Sequence, residues 1–282
     1  MRKMLILLCP MLMPFVGVQA IASEPYEMPR TQVVPLKDEA NDRQYELYVK
    51  LPESYEAKPD KAYPVIYTTD AEWHMDLLSG TTEYLMPDSI LVGISWQTDL
   101  EGEGLGNRQK FASRFRDYSV AESKNAENQA KYHFGQADKF LAFVRDQVVP
   151  YVDRQFRTKP GERAYLGYSL GGQFGAYVLL AAPDTFTHYI LGSPALGEAS
   201  IAFIDSLEAQ TAPGQEEVDA RVFVSIGEFE ADEMATITRL MSVLRRRSET
   251  GLSVSWLEVI EGSDHGSAVP ETFVRGIKWL QR

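Results

Sequence analysis

The chain has 282 residues, 44% hydrophobic and 24% charged, which suits one large soluble α/β domain or two small ones. Its 28 Lys and Arg against 40 Asp and Glu give a formal net charge of −12, which argues against nucleic-acid binding through a general electrostatic field. The single cysteine, Cys9, excludes a disulfide framework and Cys-based metal sites, and no metal or cofactor is implied anywhere along the chain.

Arg2 and Lys3 open the chain, an apolar run follows, and Ala20-Ile21-Ala22 gives an A-x-A cleavage pattern before the polar SEPYE. This predicts a signal peptide over residues 1–22, cut after Ala22 or, as a second choice, Ala20, and a periplasmic or secreted protein. The apolar run is interrupted by Pro10 and Pro14, whereas a spanning helix needs ~20 apolar residues, so no membrane association is expected after cleavage. A lipid-attachment site at Cys9 would need a small residue where Leu8 stands. No linker, repeat or low-complexity tract divides the remainder, which predicts a single domain over 23–282. Oligomeric state leaves no signal.

In chain order, 44–51 alternates as a strand and pairs with 31–36 across the Asn41-Asp42 turn. The short apolar runs 64–69 and 89–95 suit buried parallel strands. Residues 96–135 are polar and without clear period, and a connection of that length is functional or flexible. Residues 137–156 have helical spacing, with a kink or break expected at Pro150. Strands follow at 163–168, 187–192, 220–226 and 252–260, and helices at 170–181, 231–248 and 270–281. Strands alternating with helices imply an α/β fold: a mostly parallel central sheet, helices on both faces, and working groups at the carboxyl ends of the strands.

Gly167-Tyr168-Ser169-Leu170-Gly171 fits G-x-S-x-G. The pattern alone is weak, but here it joins a strand directly to a helix, the setting of a nucleophile elbow. A serine on so sharp a turn needs glycine on both sides, and the Leu170 N–H at the helix start can face a developing oxyanion. The other reading is a Gly-rich helix start with a capping serine. In this sheet type the acid and the histidine follow the serine. Of His74, His133, His188 and His265, only His188 and His265 do so; His188 begins a strand, and His265 lies in a loop between the last strand and the last helix. His265 is therefore the expected base. The orienting acid should follow the strand 220–226, where Glu230 is the first choice and Glu228 the second; Asp264 reads as a turn residue. The loop after 64–69 should supply the second oxyanion donor, assigned to the Ala71 N–H.

Together, YPVIYTTDAEWH, VGISWQ, RFRDYSV, FVRDQVVPYVDRQFRTKPGERAYLGYSLGG and GSDHG resemble the putative esterase family of α/β-hydrolases from about residue 44 to the end, with Ala71 where the family usually has Gly. GEFE is most similar to its siderophore-esterase-like branch, some members of which are described as working with a Ser–His dyad. The resemblance implies an α/β-hydrolase fold and a serine carboxylic-ester hydrolase acting on a small-molecule ester, with siderophore or other aryl and acyl esters as candidates. An acyltransferase using the same elbow, or a binding protein on the same fold, are the alternatives. Arg108, Arg114 and Arg116 are candidates to hold an anionic substrate, against the commoner outcome of a solvated, salt-bridged face. Trp73, Trp96 and Tyr168 are candidates to line an aromatic pocket, although all three are also ordinary core types.

Overall fold

The central strands are apolar on both sides because both sides are covered. In the computed structural model, which describes residues 25–102, 104–210 and 219–282, the order is β1 (Thr31–Asp38), β2 (Arg43–Lys50), α1 (Ser54–Ala57), β3 (Tyr63–Thr68), α2 (Ala71–Leu85) and β4 (Ile90–Ile94). After two short helices, α3 (Ser113–Asp117) and α4 (Ala126–Tyr132), come α5 (Ala137–Phe143), α6 (Val149–Gln155), β5 (Thr158–Tyr168), α7 (Leu170–Ala181) and β6 (His188–Gly192). The chain continues through α8 (Glu198–Gln210), β7 (Arg221–Gly227), α9 (Met234–Arg246), β8 (Ser253–Val254), β9 (Glu258–Ile260) and α10 (Ala268–Leu280).

These strands form one nine-stranded sheet in the order β1-β2-β4-β3-β5-β6-β7-β8, with β9 also pairing β7. Only β1–β2 and β2–β4 are antiparallel. Alternate residues of each central strand enter different cores. Val65, Tyr67, Tyr165, Leu191 and Val224 pack under α5 to α9, while Ile66, Leu166, Ile190 and Phe223 pack under α2 and α10. Burying a large apolar side chain in this way contributes about 1.5–3 kcal/mol.

Some elements differ from expectation. The helix over 137–155 does not break at Pro150: a π turn at Val144–Val148 precedes it, and Pro150 sits in the first turn of α6, where its missing N–H costs little. The strand expected at 252–260 is two pieces, because at Trp256, which is 83% exposed, the chain leaves the ladder. Helices α2 and α8 are additional to the elements expected from apolar spacing. The segment 96–135 is folded, with Leu105, Ala112 and Tyr132 buried as a small core of their own against Phe115 and Phe134. The predicted signal peptide lies outside the described residues.

Candidate active site

β5 ends at Tyr168 and α7 begins at Leu170, so Ser169 alone makes the turn, at φ 58° and ψ −118°. A non-glycine residue held there stores about 1–3 kcal/mol of strain, and the surroundings must over-determine it. They do: the Ser169 N–H donates to Gly192 O at 2.9 Å, and the Ser169 carbonyl accepts from the Gln173 and Ala195 amides, both at 3.0 Å. The flanking glycines are required by space, since a Cβ on Gly167 would stand 2.3 Å from Gly171 O and one on Gly171 2.5 Å from Thr69 Oγ1. Because the first intrahelical bond of α7 is donated by Gln173, the Leu170, Gly171 and Gly172 amides precede the helical ladder.

Asp70 takes a left-handed conformation, φ 55° and ψ 45°, between β3 and α2. Its carbonyl accepts from the Trp73 and His74 amides at 3.0 and 3.1 Å, so the Ala71 amide also precedes the ladder of its helix. Asp70 is fully buried, and both of its carboxylate oxygens accept hydrogen bonds. Oδ1 accepts from Trp96 Nε1 (2.6 Å) and Arg114 Nε (2.8 Å), and Oδ2 accepts from Arg114 Nη2 (3.0 Å). Burial acts to lower the Arg114 pKa, but the Asp70 charge outweighs it and holds the guanidinium above its ordinary value. Arg114 is thus engaged in bracing the loop that presents Ala71, and does not stand free for a substrate anion. The same correction applies to Arg116, which is buried against Asp117 (2.7 and 3.0 Å), Gln97 (2.8 Å) and Tyr45. Neither outcome is the solvated face expected of surface arginines. Their acidic partners lie next door in sequence for Arg116 and 44 residues away for Arg114.

At the carboxyl end of β7 the chain turns so that Glu230 faces back onto its own strand. Glu230 Oε1 accepts from the Gly227 N–H (2.8 Å) and from Ser193 Oγ (2.6 Å), and Oε2 lies 2.6 Å from His265 Nδ1. A Cβ on Gly227 would fall 2.8 Å from Glu230 Oε1, so only glycine admits this approach. The Glu230 side chain is 7% exposed and that of His265 50% exposed. With a carboxylate as acceptor, Nδ1 carries the proton and Nε2 keeps a lone pair able to take another. Glu228, the second choice, instead accepts from the Gly262 N–H (2.6 Å) and braces the turn ahead of the His265 loop. Asp264 accepts from the Gly266 and Ser267 amides (3.0 and 2.8 Å) at the start of α10.

Tyr168 lies beneath this group. It is buried, its hydroxyl reaches Ser193 Oγ (2.9 Å) and His265 O (2.8 Å), and its ring packs 5.2 Å from the imidazole. Its expected place in a pocket wall is therefore corrected to an internal one. Among the described residues no hydrogen bond joins the Ser169 hydroxyl to His265; the imidazole is held by Glu230 and its backbone by Tyr168, the neighbour of Ser169, and hydrogen bonds of a nucleophile to its base are often formed only with substrate present. The remaining histidines serve elsewhere. His74 Nδ1 lies 3.1 Å from Thr69 O inside α2, His188 sits at the amino end of β6, and His133 ends α4.

Trp73 is 51% exposed and packs edge-on against Trp96 at 4.7 Å, with the Arg114 guanidinium 5.0 Å from its ring. Beside this pair opens a cleft of about 770 Å³, walled by Glu72, Trp96, Leu100, Asn107 and Lys110. It adjoins the Ala71 loop through Glu72 rather than enclosing Ser169. Glu72 keeps solvent contact, yet desolvation by the protein around it raises its carboxyl to about 7. Sequence reasoning missed Asp70 as the brace of the oxyanion loop and Ser193 as a partner of the acid. For Asp70 the only available signal was its position just after a strand, at the sheet edge where the Ser169 turn lies.

Among the described residues, no cluster of three or more His, Cys, Asp or Glu side chains is placed to hold a metal ion, and no helix is long and apolar enough to cross a membrane. The model of the family described as "Putative esterase" matches residues 39–219. The chain is 25% identical over 280 residues to the ferri-bacillibactin esterase BesA of Bacillus subtilis, covering 91% of each chain. Among solved structures it resembles the BES protein of Bacillus cereus, with a TM-score of 0.73 at 20% identity over 92% of this chain and 99% of that one. It also resembles the siderophore hydrolase EstB of Aspergillus nidulans, with a TM-score of 0.72 at 21% identity over 91% and 96%.

Proposed function

The chain belongs to the putative esterase family, has the α/β-hydrolase fold and is a carboxylic-ester hydrolase, and from that premise we propose that it works by a serine mechanism in which Ser169 is the nucleophile, His265 the general base and Glu230 the orienting acid. The observation that carries the assignment is the Glu230–His265 contact of 2.6 Å, made at the same sheet edge as the strained Ser169 turn. In this reading the Ser169 hydroxyl attacks the ester carbonyl while His265 Nε2 takes its proton. The tetrahedral oxyanion is held by the Leu170 and Ala71 amides, each worth about 3–4 kcal/mol to the transition state. Collapse expels the alcohol, protonated by His265, and leaves an acyl-serine. Water, deprotonated by the same imidazole, then releases the acid.

The proposed substrates are siderophore or related aryl esters. Support comes from the siderophore-ester relatives and from the cleft beside Ala71, where Trp73 and Trp96 offer aromatic surface. Residues 1–22 are proposed as a signal peptide, and the mature chain as periplasmic or secreted. The test is a panel of short acyl, aryl, sugar and trilactone siderophore esters, run on the mature chain and on Ser169→Ala. The proposal expects turnover that the variant abolishes, with the siderophore ester preferred. Undiminished turnover in Ser169→Ala would remove the nucleophile assignment, and equal rates across the panel would remove the substrate assignment.

A further inference from the structure

Ser193 follows the last residue of β6, between the strand that carries Ser169 and the strand that leads to Glu230. It is 3% exposed and adopts φ 35°, a conformation that favours glycine, yet the position is a serine. Its N–H is fixed to Ser225 O (2.9 Å). Its hydroxyl has two partners, and their chemistry sets its direction. Glu230 Oε1, at 2.6 Å, can only accept, so Ser193 donates to it and must in turn accept from the Tyr168 hydroxyl at 2.9 Å. Burial raises the Tyr168 pKa to about 12, with Ser193 opposing, so the phenol remains a donor over the working pH range. The same phenol oxygen lies 2.8 Å from the His265 carbonyl, so its one proton is shared between base loop and relay.

We propose that Ser193, together with Tyr168, is a positioning residue that locks the Glu230 carboxylate toward His265 Nδ1. The inference rests on the triad reading above. A glutamate carboxylate can rotate about its last bond and exchange its two oxygens. Here Oε1 is pinned twice, by Gly227 N–H and Ser193 Oγ, which leaves Oε2 for the imidazole. Without the Ser193 hydroxyl, Oε1 keeps one bond and the carboxylate gains freedom just when His265 becomes an imidazolium. Tyr168 extends the lock, because it adjoins the nucleophile in sequence and grips the backbone of the base loop.

The test compares Ser193→Ala, Ser193→Gly and Tyr168→Phe with the parent protein and with Ser169→Ala, on a chromogenic aryl ester. In both Ser193 variants kcat should fall between about 10-fold and 100-fold with KM within about twofold, the effect of losing a hydrogen bond to a charged group. The low-field proton resonance of the His265–Glu230 hydrogen bond should broaden or shift in parallel. Ser193→Gly is the decisive variant: glycine relieves the strain of this φ that Ser193→Ala retains, so its thermal midpoint should fall less than that of Ser193→Ala while kcat falls as far, whereas a merely structural role would make kcat follow stability. Tyr168→Phe keeps the ring and should show the same pattern more weakly. Parent-like kcat in Ser193→Gly, or a fall in kcat with an unmoved resonance, overturns the inference. Activity surviving in Ser169→Ala would overturn the nucleophile reading instead, so the two failures are distinguishable.

Discussion

Glu230 Oε2 and His265 Nδ1 meet at 2.6 Å although 35 residues separate them, one on the turn after β7 and the other on the turn after β9. The contact exists because those two strands are parallel neighbours that end at the same edge of the sheet.

Glu230→Gln keeps the shape of the side chain and changes the tautomer it favours in His265. We expect kcat to fall by up to about 10⁴-fold, the loss seen when an orienting acid becomes an amide. Glu228→Gln keeps an oxygen able to accept from Gly262 N–H, removes only the charge, and should change kcat less than about threefold. Steady-state kinetics on one aryl ester checks both, and a larger loss for Glu228→Gln would exchange the two roles.

The Asp70–Arg114 pair should matter to stability and rate together. Arg114→Leu leaves the Asp70 carboxylate buried with only Trp96 as partner. Removing one member of such a pair costs about 3–5 kcal/mol. Denaturant titration should show that loss. Because Asp70 is the residue before the Ala71 amide, activity measured well below the unfolding midpoint should also fall, on neutral esters as much as on anionic ones. A loss confined to anionic esters would return Arg114 to a substrate-binding role.

His74 is buried in α2, and burial lowers its pKa from the usual 6.5, with Asp70 acting in the opposite direction. The sign of the pH dependence follows. Below about pH 6.5 the unfolded chain takes up a proton that the folded imidazole refuses, so stability is full above that pH and declines as pH falls. His188, whose pKa is lowered by partial burial and by Arg221, contributes in the same direction. Glu72, whose carboxyl is raised to about 7 by desolvation, acts the other way over the same range, so the imidazole is read as a difference: from pH 8 to about 5 the parent's thermal midpoint should fall relative to that of His74→Gln, while their alkaline slopes agree. An equally steep slope in the variant would place the titrating group elsewhere.

What the sequence made legible follows from what carries period and what does not. The strands β3 to β7 were readable because both of their faces are buried, so they appear as short unbroken apolar runs. The Ser169 turn was readable because only glycine fits at 167 and 171. The strand–turn–helix setting of Ser169 and the loop position of His265 after the last strand put both at the carboxyl edge of the sheet from sequence alone. Arg114 and Arg116 looked available because sequence shows a charge but not its partner: Asp70 reaches Arg114 only after α3 folds under the Ala71 loop. Ser193 carried no signal at all, since its role depends on two side chains, Tyr168 and Glu230, that converge on it from neighbouring strands. The strand expected over 252–260 was overextended because apolar alternation runs through Trp256, although that side chain points to solvent.

The most direct measurement of the central claim is covalent labelling of the mature chain with a fluorophosphonate, followed by peptide mapping. An activated Ser169 beside His265 predicts a single adduct on Ser169, formed much more slowly in His265→Ala and absent from Ser169→Ala. An unlabelled chain, an adduct on another serine, or a rate unchanged by loss of the imidazole would contradict it.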